Sequence, residues 1–91
     1  MTAIDAIAKE FHMKPKDLLK ASLKTYLGQR LSRIEADLFL IAKKYGVKDI
    51  FHLDEKIKAG LVTEEKSYED YFALDNLEAE REKIKKFLSK L

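Results

Sequence analysis

The feature that most constrains this chain is an apolar stripe. Leu27, Leu31, Ile34, Leu38, Ile41 and Tyr45 recur at steps of four, three, four, three and four residues. That is the repeat of a helix packing lengthwise on another helix, as in a coiled coil. Leu18, Leu19, Leu23 and Tyr26 extend it upstream less regularly. The spacing predicts one helix over 15–46, about 45 Å long at about 1.5 Å per residue. Such a helix outspans a compact domain of this size and cannot bury its stripe alone, so it needs a partner helix.

The partner is predicted over 63–91. There Tyr68, Tyr71, Phe72, Leu74, Leu77, Arg81, Ile84, Leu88 and Leu91 fall on helical spacing, with Arg81 interrupting the seam. Thr63 is placed to cap this helix, with Glu64 and Glu65 in its first turn. Residues 47–62 read as a short helix from about Asp49 to Ala59 plus a connector. Its inner face is Ile50, Leu53 and Ile57, Gly60 stops it, and Leu61 is expected to pack after the cap. Residues 1–14 read as another short helix, capped by Thr2 with Asp5 and carrying Ile4, Ile7, Ala8 and Phe11 on one face. Pro15 suits the first position of the long helix. Lys43, Lys44 and Gly46 suit its end. Gly28 lies inside it and is read as a mild bend or a close approach by a neighbour. No period-two pattern argues for a strand.

The fold class is therefore all-α: a single domain formed as a hairpin of two long antiparallel helices with short additional helices. Tyr26, Phe39, Tyr71, Phe72 and Phe87 exceed what one hairpin can bury. A bundle completed by oligomerisation, or another bound chain, is expected. The expected protein interface is Leu27, Leu31, Ile34, Leu38, Ile41, Tyr68, Tyr71, Phe72 and Leu77.

Composition narrows the function by exclusion. There is no Cys, which removes disulfides, thiolate metal sites and thiol catalysis. His12 and His52 are the only histidines and stand forty residues apart, without zinc-ligand spacing. Neither a phosphate-binding glycine loop nor a Gly-x-Ser-x-Gly elbow is present. The carboxylates Glu69, Asp70, Asp75, Glu78, Glu80 and Glu82 lack the Glu-x-x-His partners of a di-metal bundle and read as a solvated acidic face. No catalytic residue, metal, cofactor or small-molecule substrate is expected. No apolar run reaches a membrane span and no signal peptide is evident, so a cytoplasmic protein without membrane contact follows. Abundant Lys and Glu with three Gly and one Pro suit long exposed helices and a thermophilic source.

Charge is uneven. Residues 1–48 hold ten Lys/Arg against five Asp/Glu, and residues 49–91 hold eight against eleven. The turn at His12 between Ala8 and Leu18 matches the spacing of a helix-turn-helix. In that reading Lys14, Lys16, Lys20 and Lys24 are the expected contacts to DNA.

Two resemblances bear on function. Arg30-Leu31-Ser32-Arg33-Ile34-Glu35-Ala36-Asp37 is loosely similar to the opening of helical chorismate mutases, which are small intertwined all-helical dimers. The remaining active-site positions of that family find no counterpart in this chain. More of the chain, about residues 20–90, resembles small archaeal antitoxin-like proteins of toxin–antitoxin pairs. That likeness runs through Leu23-Lys24-Thr25-Tyr26-Leu27, Arg30 to Asp37, Ala42-Lys43-Lys44-Tyr45-Gly46-Val47 and Tyr68 to Glu78. It implies a chain that neutralises a ribonuclease-type toxin by laying an amphipathic helix across it; the homo-oligomer or bound partner protein is expected from the excess apolar surface. The strand that opens the usual DNA-binding version of such proteins is missing here. The preferred function is a non-enzymatic protein–protein interaction module of antitoxin type. The alternative is a basic helical nucleic-acid-binding protein.

Overall fold

Local signals set each helix end in the computed structural model, which describes residues 2–91. Helix α1 covers Ala3–Glu10. Thr2 and Asp5 close a reciprocal capping box at its start, each satisfying a backbone N–H of the other. Its other end turns through His12, whose φ of +57° is the one positive value outside glycine among the described residues. There the Met13 N–H returns to the Ala8 carbonyl at 2.8 Å, closing the helix in a left-handed cap that glycine usually supplies.

Helix α2 covers Pro15–Tyr45, a 31-residue helix with the proline at its first position. It ends at Gly46 in left-handed conformation, with the Val47 N–H bonded to the Ala42 carbonyl and Val47 itself buried. The helix runs unbroken through Gly28. Of the two expectations for Gly28, a mild bend or a close approach, the second does not occur, since a Cβ there would find open space, and the long helix is bent.

Helix α3 covers Ile50–Lys58, with the Asp49 carboxylate accepting from the His52 N–H at 2.8 Å. After Gly60, Leu61 does not pack as expected. It stands 75% exposed, and Val62 turns to the core in its place. Helix α4 covers Glu64–Ser89. Thr63 occupies the cap position, but its hydroxyl caps nothing. The link there runs the other way, with the fully buried Ser67 hydroxyl donating to the Thr63 carbonyl.

α2 and α4 pack antiparallel as the hairpin, α3 packs on α4 near its start, and α1 lies against α2. The core is Ile34 and Leu38 from α2, Leu74 and Ile84 from α4, and Val47, Ile50 and Leu53 from the connection. Leu27, Leu31, Ile41, Tyr45, Tyr71, Leu77 and Leu88 flank it. The molecule is a rod of 60 × 19 × 18 Å. Only the later part of α2 is covered by α4. Its first part has α1 alone, of whose expected apolar face Ala8 is buried while Phe11 is 69% exposed.

Two stability measurements follow. Leu53 is fully enclosed where α3 plugs the hairpin. Leu53→Ala is expected to cost about 2–5 kcal/mol in denaturant unfolding. His12→Gly is expected to stabilise by about 1 kcal/mol, because it relieves the left-handed backbone without removing a packed side chain.

Candidate functional site

The apolar seam is consumed inside one chain. Leu27, Leu31, Ile34, Leu38, Ile41, Tyr71 and Leu77 all pack within the hairpin core. Of the nine expected interface residues, Tyr68 and Phe72 remain outside, at 51% and 58% exposure. They rim a recess of about 170 Å³ with Asp54, Ile57, Glu64 and Tyr71. Tyr71 and Phe72 meet edge to face, with ring centroids 5.7 Å apart. This places an aromatic pair beside Glu64 and Asp54 where α3 meets the start of α4, with Asp54 paired to Lys58 at 2.9 Å.

The acidic residues of α4 divide into two sets. Asp70, Glu78 and Glu80 serve the fold. Glu78 accepts from the Ile50 N–H at 2.9 Å and so caps the start of α3 from outside. Glu80 pairs with Arg30 across the hairpin, and Arg30 also donates to the Tyr26 hydroxyl at 3.2 Å. Asp70 receives both Lys44, at 2.7 Å, and the Tyr45 hydroxyl. These two donors, Lys44 foremost, hold the Asp70 carboxyl below its ordinary value. Asp70 in turn raises Lys44. The Tyr45 phenol is raised by burial first and by Asp70 second. Lys56 completes the connection by donating to the Tyr45 carbonyl at 2.9 Å, at the open end of α2. Glu82 is exposed beside Arg81, and Glu64, Glu65, Glu69 and Asp75 face solvent nearer the start of α4. They, with Tyr68 and Phe72, are what the acidic end offers to another molecule.

The opposite end is basic. Lys14, Lys16, Lys20 and Lys24 are all exposed, with Lys14 at the cap of α2. The hairpin adds lysines that the halves of the sequence kept apart. Tyr26, Leu27 and Arg30 of α2 share one groove with Lys83, Ile84 and Phe87 of α4, so the C-terminal turns of α4 lie beside the middle of α2. Residues 9–33 and 83–91 together carry eleven Lys/Arg against two Asp/Glu, while residues 34–82 carry seven against thirteen. Lys83, Lys86 and Lys90 were not among the expected contacts. Their three- and four-residue spacing was the available signal. Leu19, Leu23, Tyr26 and Phe87 are exposed at this basic end.

Arg81 sits half-buried in the seam and helps line a recess with Glu35, Leu38 and Phe39. Its Nε is 3.6 Å from Glu82, beyond hydrogen-bond reach. His12 lies in the turn between α1 and α2, and His52 lies in the first turn of α3. Among the described residues no three His, Asp or Glu side chains converge as a metal site requires, and no helix is long and apolar enough to cross a membrane.

These features define an all-helical rod with an acidic, aromatic end and a basic end. The profile of the family described as "Uncharacterized protein MJ0235 family" matches residues 1–91, and the chain belongs to that family. No curated protein and no solved structure matches it.

Asp70 makes the hairpin acid-sensitive. Because its carboxyl is lowered in the folded state, its contribution is complete above the ordinary value of 3.8 and is lost as pH falls through the folded one. Asp70→Asn is expected to flatten the fall of melting temperature below about pH 4, measured by circular dichroism against wild type.

Proposed function

We propose that this chain is a non-enzymatic protein–protein interaction module that binds and restrains a partner, as an antitoxin holds a nuclease-type toxin. The docking face is the start of α4 with the adjoining side of α3. The observation that carries this reading is the exposure of Tyr68 and Phe72 beside the solvent-facing Glu64, Glu65 and Glu69, although the hairpin seam is already filled. Exposed aromatic side chains are the residues that anchor interfaces. Carboxylates around them complement a cationic surface, and the active site of an enzyme that cleaves a polyanion is such a surface. The resemblance of Tyr68 to Glu78 to antitoxin-like proteins points the same way.

A second reading, nucleic-acid binding, is favoured by one observation: the hairpin sets Lys83 in one groove with Arg30 at the end of the rod where Lys16, Lys20, Lys24, Lys86 and Lys90 are all exposed. Phosphate contacts of this kind are sequence-independent and strongly salt-dependent. The helix-turn-helix form of that reading is not favoured. α1 packs against α2, but the other main helix contacts are α2 with α4 and α3 with α4, so no third helix completes a compact reading unit around the α1–α2 turn.

The test is affinity capture from native-host extract with the wild-type chain and with Tyr68→Ala/Phe72→Ala, followed by a ribonuclease assay on the captured protein. The expected result is a basic protein whose nuclease activity the wild-type chain inhibits. The double variant should hold it at least about tenfold more weakly, the scale of two truncated interface anchors. Equal recovery by both forms, or recovery of nucleic acid alone, contradicts the reading.

A further inference from the structure

We infer that the outer face of α4 is a self-complementary seam on which a second copy of this chain docks antiparallel. Glu64, Glu65, Tyr68, Phe72, Asp75, Ala79, Lys83, Lys86 and Lys90 are all exposed. From Glu65 on they follow one another at three- and four-residue steps and so share one side of the helix, while Glu64 lines the recess toward α3. The core residues Leu74, Leu77, Ile84 and Leu88 occupy the other side. The chemistry changes in order along this face: acidic, aromatic, acidic, small, then three lysines.

Turned end for end about Ala79, the face is its own complement. Asp75 falls opposite Lys83, Phe72 opposite Lys86, and Tyr68 opposite Lys90. The first is an ion pair, and the other two set an ammonium against an aromatic ring. Glu64 and Glu65 of the second copy then project beyond the end of α4. A two-fold arrangement makes each of these contacts twice and closes without growing into a fibre.

A nucleic acid fits this face less well. It would neutralise the lysines but would meet Glu64, Glu65 and Asp75 on the same face and leave the apolar side chains uncovered. A copy of the chain answers both signs of charge and the aromatic rings together. The pairing covers Tyr68 and Phe72, so self-association and partner capture exclude each other. That last clause alone rests on the proposed function.

The experiment uses the purified full chain. Sedimentation equilibrium is expected to show a monomer–dimer equilibrium whose dissociation constant rises at least about tenfold between 0.05 and 1 M salt, as exposed charge pairs are screened. The chain has no Cys, so introduced thiols report geometry directly. Asp75→Cys mixed with Lys83→Cys should give the mixed disulfide, and neither variant alone should cross-link. Both positions are exposed, and unchanged far-ultraviolet circular dichroism confirms that each variant folds. A chain that stays monomeric at millimolar concentration, a salt-independent dimer, or self-linking of either single variant overturns the inference. So does a monomer whose lysine face binds an oligonucleotide instead. Failure to capture a toxin-like partner leaves these readouts untouched and bears only on the proposed function.

Discussion

The lengthwise contact of α2 with α4 is the constraint on which the rest of the molecule depends. Ile34 and Leu38 meet Leu74 and Ile84 along it, and burial of such side chains contributes about 1.5–3 kcal/mol each. A two-helix contact is narrow and leaves its ends open. The connection closes one end. Leu53 plugs it, Glu78 caps the start of α3, Lys56 answers the open carbonyls at the end of α2, and Asp70 gathers Lys44 and Tyr45. Polar groups therefore cluster where backbone ends would otherwise lack partners.

The other end of the rod is built differently. α2 is longer than α4 and starts well before the hairpin begins. α1 covers part of the excess with Ala8, and a small buried side chain allows close approach but supplies little buried area. Apolar side chains therefore remain exposed there among lysines. This mixture of exposed apolar surface and one sign of charge is the usual mark of a surface that meets another macromolecule. The acidic end carries the same mixture with the opposite sign.

That polarity connects the proposed partner capture with the inferred self-association. The face proposed to hold a cationic protein is the same face inferred to hold the lysine-bearing end of a second copy. Self-association would then keep the aromatic pair covered until a better-matched surface displaces it. Linkage of this kind requires only that the two complexes share one face.

The helices themselves were legible from local signals. The four–three repeat, the Thr2–Asp5 box, Pro15 and Gly46 each act within a turn or two of chain, so their consequences are written where they occur. Which apolar residues remain free was not legible. Leu27 to Ile41 and Tyr68 to Phe72 read alike as helical stripes, and only packing fills the first with α4 and leaves Tyr68 and Phe72 in solvent. The same holds for charge. Glu78 and Glu69 are equivalent in sequence, but one lies against the start of α3 and the other faces water. Lys83 to Lys90 joined the basic end because an antiparallel hairpin brings together residues about sixty apart in the chain. Sequence by itself determined the helices, their ends and their amphipathic sides, since these follow from short-range sterics and hydrogen bonding. Tertiary structure alone decided which sides are spent internally and which charges become neighbours, because both depend on where the second helix stops along the first.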